Sequence, residues 1–110
     1  MMNKKAIVEW KTKDQGGREE PPLGVGVPFY ATVMRFADEP WPPVNGAWSM
    51  VVIKDEQAST DSLWAANVHF LVDEAPHDSL RNGRAFELYE GNKCVARGTI
   101  MEDEVRKDTP

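Results

Sequence analysis

Apolar side chains in this chain recur at every second position, the spacing of a half-buried strand and not of a helix. Ala6, Val8 and Trp10 alternate with Ile7, Glu9 and Lys11. Residues 29–36 are rich in β-branched and aromatic types and end in the acidic turn Asp38-Glu39-Pro40. Trp48 to Ile53 is a short apolar run of the kind that fills a buried strand. Leu63 to Val72 has a composition that a helix would tolerate, yet Asn67, His69 and the alternation of Val68, Phe70 and Val72 predict a strand. Ala85 to Glu90, the turn Gly91-Asn92, and Lys93 to Ile100 read as a hairpin. Along it, Phe86 and Leu88, and Cys94 and Ala96, are expected to point inward or outward as sets, with the direction left open.

The connectors agree. Gly16-Gly17 and Pro21-Pro22-Leu23-Gly24 break the chain after the first strand, and Pro40-Trp41-Pro42-Pro43 with Asn45-Gly46 forbids regular structure before the third. Lys54 to Asp61 is polar and reads as a mobile loop. About six strands with no helix predict an all-β barrel or sandwich. With 110 residues, one domain is expected, its core spanning about 5–101 and followed by a charged tail at 102–110.

The net charge of −5 opposes nucleic-acid binding, which draws most of its affinity from Lys and Arg neutralising phosphates. A protein partner is favoured. The lone Cys94 excludes an internal disulfide and a multi-cysteine zinc site. No run of eighteen apolar residues exists, so no membrane span is expected and a cytoplasmic location is the default. There is no Gly-x-x-x-x-Gly-Lys-Ser/Thr segment to cradle a nucleotide, and no cofactor is expected.

Several segments, in order, resemble the C-terminal β-barrel domain of translation elongation factor Tu. Gln15-Gly16-Gly17-Arg18, Pro21 and Val27-Pro28-Phe29-Tyr30 are similar to that domain's Glu-Gly-Gly-Arg, proline and Arg-Pro-Gln-Phe-Tyr segments. Leu71-Val72, Pro76 and Gly83-Arg84-Ala85-Phe86 resemble its approach to a Gly-Leu-Arg-Phe segment, with a small insertion. Glu90-Gly91-Asn92-Lys93-Cys94-Val95-Ala96 stands against its closing Glu-Gly-Gly-Arg-Thr-Val-Gly. The likeness runs from about Ala6 to Ile100. It implies a six-stranded antiparallel Greek-key barrel that acts by binding and carries no chemistry, since hydrolysis in the parent belongs to another domain. The family's middle Met-Pro-Gly-Asp turn is replaced by Ile53-Lys54-Asp55-Glu56-Gln57, and Tyr89 replaces an Arg in the hairpin. Asn92 replaces the glycine that lets a tRNA phosphate approach closely.

Candidate partner-binding residues are Gly16, Gly17, Arg18, Trp41, Asn92, Lys93 and Arg97. Gly16-Gly17-Arg18 is either a docking loop or a pair of glycines serving a tight strand exit. Trp41, pinned by prolines, is either an exposed anchor or a plug over a barrel end. Trp10, Trp48 and Trp64 sit in strand patterns and are expected in or against the core. His69 and His77 with Cys94 or Asp78 lack the ligand spacing of a zinc site, and Cys94 with a histidine lacks any visible oxyanion donor. Asp73-Glu74, Asp78 and Glu102-Asp103-Glu104 form either a patch for a basic partner or a solubilising edge. The leading expectation is a non-enzymatic protein-binding module whose partner is a protein, with proteins that also engage the translation factor among the candidates. The alternatives are a tRNA- or RNA-binding accessory protein using Arg18, Lys93 and Arg97, and a small ligand-binding barrel or enzyme using the barrel mouth.

Overall fold

Six strands close on themselves in the computed structural model, which describes residues 3–18, 30–39, 48–60 and 62–101. They are β1 (Lys4–Trp10), β2 (Tyr30–Phe36), β3 (Trp48–Lys54), β4 (Leu63–Phe70), β5 (Ala85–Glu90) and β6 (Lys93–Ile100). Around the barrel they run β1-β4-β3-β2-β5-β6, with every neighbouring pair antiparallel. Three consecutive strands, β2 to β4, with β1 returning beside β4, give an order consistent with a Greek key. Pro21, Val27-Pro28-Phe29, Trp41 and the tail at 102–110 lie outside the described residues.

The pairing register defines two ends. Trp10, Tyr30, Lys54, Leu63, Glu90 and Lys93 lie at the upper end, and Lys4, Phe36, Trp48, Phe70, Ala85 and Ile100 at the lower. Alternation puts Ala6, Val8, Trp10, Met34, Phe36, Met50, Val52, Trp64, Ala66, Val68, Phe70, Phe86 and Leu88 into one core. A small barrel is filled by its own side chains, and this one is.

One strand departs from strict alternation. A bulge follows Leu88, which pairs with Ala96 while Tyr89 pairs with Cys94, so Val95 is the extra residue. The bulge splits the expected set of Cys94 and Ala96. Phe86, Leu88 and Ala96 face inward together, whereas Cys94 is half-buried and Val95 takes the inward place. Further along β6, Gly98 lies opposite Phe86 and Val8. The Phe86 ring covers it so closely that an added Cβ would sit 2.2 Å from Cζ.

Two boundaries differ from the sequence reading. β4 ends at Phe70, because Leu71 and Val72 leave the barrel and are 52% and 41% exposed. The segment after β3 is tied down in a 3-10 turn, Glu56–Ala58. The Asp55 carboxylate accepts from Gln57 N–H at 3.1 Å, and Ser59 Oγ accepts from Ala65 N–H at 3.0 Å. Short polar side chains that bond neighbouring backbone can order a turn without any apolar contact.

Candidate partner-binding end of the barrel

After β1 the chain makes one 3-10 turn, Lys13–Gln15. Thr12 N–H donates to Gln15 Oε1 at 2.9 Å, and Gln15 N–H returns to Thr12 O at 3.0 Å. Gly16 then takes φ +87°, a left-handed conformation that disfavours a Cβ. Gly17 is needed for a different reason. It is buried against Lys11, and a Cβ there would lie 2.3 Å from the Lys11 carbonyl oxygen. Both glycines therefore serve the strand exit, and what they present is Arg18.

Arg18 Nη1 donates to Glu90 Oε2, and Tyr30 OH donates to the same oxygen. This carboxylate stands where β5 turns into the hairpin, so the exit of β1, the start of β2 and the end of β5 are fastened at one atom. The Tyr30 ring meets Trp10 edge-on with centroids 5.4 Å apart. Beside this junction the turn uses Gly91 at φ +64°, and Asn92 and Lys93 are exposed. Of the candidate residues, Gly16, Gly17, Arg18, Asn92 and Lys93 thus share the upper end. Trp41 lies outside the described residues. Arg97 sits farther down β6 on the outer wall, opposite Glu9 on one side and Glu87 on the other.

A second polar network covers the outer wall of β2 and β5. Arg35 Nε donates to Glu87 Oε1 at 3.1 Å, and Tyr89 OH donates to the same oxygen at 2.8 Å. Burial alone would raise the Glu87 pKa, but the hydrogen bonds from Arg35 and Tyr89 and the charge of Arg35 outweigh it and hold it below the usual carboxylate range. Sequence reasoning missed this group. Glu87 and Tyr89 share a strand face by spacing alone, but Arg35 joins them only through the β2–β5 register.

Both tyrosines of the chain thus donate to a carboxylate, Tyr30 half-buried and Tyr89 buried. Burial, then the hydrogen bond to Glu90, pushes Tyr30 from 10.0 up to about 12; burial, then Glu87, does the same to Tyr89. The fold holds these protons more tightly than the unfolded chain does. Their contribution to stability is therefore complete below pH 10 and disappears as pH rises from 10 through about 12. Phenolate absorbance near 295 nm is expected to stay silent through pH 10 in the folded protein and to appear there in denaturant. Coincident titrations in the two states would refute the buried pairing.

The lower end is fastened by Arg84, whose Nη2 reaches Asp38 at 3.0 Å and Glu39 at 3.4 Å and whose guanidinium lies 3.7 Å over the Phe36 ring. His77 Nε2 donates to the Val72 and Asp73 carbonyls at 3.1 Å, and its ring meets Phe70 edge-on. His69 Nδ1 donates to Asn3 Oδ1 at 2.7 Å. Partial burial, then repulsion from His77, lowers the His69 pKa. Cys94 begins β6 at the upper end, so neither histidine is brought to it. Among the described residues no three His, Cys, Asp or Glu side chains form a metal-binding group. Asp73, Glu74 and Asp78 are exposed around the lower-end loop. No helix among the described residues is long and apolar enough to cross a membrane.

No protein-family model matches the chain, and a search of curated proteins finds no match.

Proposed function

We propose that this chain is a non-enzymatic binding module of the elongation factor Tu C-terminal-domain type, docking a protein partner through the upper end of the barrel. The observation that carries this reading is the shared Glu90 carboxylate. By holding Arg18 and Tyr30 together it sets the loop at Gly16–Arg18 beside the exposed Asn92 and Lys93, giving a pre-ordered surface that loses little entropy on binding. The segments that carry the family resemblance at the two ends of the sequence, Gly16-Gly17-Arg18 and Glu90-Gly91, are the ones that meet there. A translation-related partner follows from that resemblance alone, and a cytoplasmic setting is the default reading of a sequence without a long apolar run.

The RNA reading has less behind it. Arg18 is engaged by Glu90, and Arg97 stands between Glu9 and Glu87, so two of its three cations already face carboxylates. The ligand-barrel reading must contend with a core filled by Trp10, Trp64, Phe70 and Phe86.

The test is affinity capture on immobilised wild-type chain, on Lys93→Glu, and on Leu71→Asp at the opposite end as control. A partner specific to the upper end should be retained about thirtyfold less by Lys93→Glu, the weight of one interface hot spot, and equally by the control. Equal retention by all three would remove the upper end from the proposal. A parallel tRNA filter-retention assay at low salt, where phosphate contacts are strongest, decides the alternative.

A further inference from the structure

We propose that Asn82-Gly83, in the turn leading into β5, is a spontaneous deamidation site that the folded barrel holds closed. An asparagine followed by glycine is the most reactive arrangement, because no Cβ on the second residue shields its peptide nitrogen. Both residues are exposed, Arg84 N–H bonds to Arg81 O at 3.0 Å across the turn, and Gly83 takes φ +83°. That φ is what a type II turn asks of its third residue, so the backbone itself calls for glycine after Asn82. What the fold adds is a lock on the attacking atom. Gly83 N–H donates to Ile100 O at 2.7 Å, and Ile100 N–H returns to Arg84 O at 3.0 Å. The end of β6 is tied to β1 in turn, since Met101 N–H donates to Lys5 O at 2.8 Å.

The only co-reactant is water. The Gly83 nitrogen loses its proton to solvent and attacks Asn82 Cγ; the bond from Cγ to the side-chain nitrogen breaks, ammonia leaves, and a cyclic imide closes. Water then opens the ring. Addition at Cγ leaves an ordinary aspartate at position 82, whereas addition at the main-chain carbonyl leaves an isoaspartate, with the chain running through Cβ and Cγ. While Gly83 N–H is bonded to Ile100 O, its proton cannot pass to solvent, so the reaction waits for local opening of the lower end. Either product carries a new negative charge. The isoaspartate also lengthens the backbone by a methylene, so the bonds from Gly83 to Ile100 and from Arg84 to Arg81 no longer span the same path. The site thus records covalently how long the lower end has stood open. The inference stands apart from the docking proposal, which concerns the opposite end of the barrel.

The experiment incubates the full chain in mildly alkaline buffer with and without guanidinium chloride. Chymotryptic peptide 81–86 is followed by mass spectrometry, with chromatographic separation of its aspartate and isoaspartate forms. In denaturant, Asn82 should react as fast as the chain's other Asn-Gly pair, Asn45-Gly46, which lies outside the described residues. In native buffer Asn82 should react at least about tenfold more slowly, the ratio being the fraction of time the lower end is open. No reaction at Asn82 in denaturant, or equal rates there in the two buffers, would overturn the proposal. Met101→Pro removes the N–H that ties β6 to Lys5 and should raise the native rate about threefold or more, with the denatured rate unchanged. A variant folded by circular dichroism that keeps the wild-type native rate would show that the end of β6 is not the gate. The wild-type comparison holds whether or not this variant folds.

Discussion

Gly98→Val is expected to cost about 3 kcal/mol or more, near the upper end of what overpacking a core does. A single Cβ at this position already lies within 2.8 Å of three atoms of the Phe86 ring. That ring is fully buried and cannot swing away without displacing its neighbours. Valine adds two further methyl groups to the same collision. Against a typical domain stability of roughly 5–15 kcal/mol, such a loss moves the urea midpoint far down. The pairing gives a sharper prediction. Gly98→Ala combined with Phe86→Leu should be clearly more stable than the sum of the two single effects, because the leucine vacates the volume that the methyl group enters. If Gly98→Val unfolds within about 0.5 kcal/mol of wild type, the close approach of β5 and β6 is wrong.

Gly17→Ala is expected to act at the other end of the same scale of argument, costing about 2 kcal/mol by steric overlap. Here the obstruction is backbone: the Lys11 carbonyl oxygen at 2.3 Å and its carbon at 2.7 Å. Lys11 cannot retreat freely, since its N–H is bonded to Val95 O at 2.9 Å. The loop must yield instead and carry Arg18 away from Glu90. Binding of an upper-end partner should fall with it. Gly16→Ala is the control. It meets open space and carries only the penalty of a left-handed φ, about 1 kcal/mol, which Gly16→Asn should partly relieve. Equal stability losses from Gly16→Ala and Gly17→Ala would show that conformation, not contact, governs both glycines.

The strands were legible because alternation is written locally. Ala6, Val8 and Trp10 announce their face without reference to any other residue, and Gly91-Asn92 announces its turn. What stayed hidden depends on partners distant in sequence. The separation of Cys94 from Ala96 requires knowing that Leu88 faces Ala96 while Tyr89 faces Cys94. Leu71 and Val72 continue the pattern of β4 in composition, and only the barrel's height ends the strand at Phe70. The candidate site was half visible. Gly16-Gly17-Arg18 and Glu90-Gly91 could be singled out as motifs, but the bond between Arg18 and Glu90 spans 72 residues. Gly98 looked like any strand residue, because nothing near it in sequence hints that an aromatic ring from β5 lies over it.

Closure of the barrel rests on β1 lying between β4 and β6, with Ala6 opposite both Ala66 and Ile100. During synthesis, then, the first strand leaves the ribosome long before its last neighbour exists, and one flank of β1 stays open until β6 has emerged. Long-range closure of this kind makes folding slow and leaves a strand edge available for mispairing in the interval. The same adjacency brings Lys5 and Met101 within one hydrogen bond of each other. A short peptide could therefore join these strands directly, with new ends opened elsewhere, and such a permuted chain would form the β1–β6 contact as a hairpin at the outset.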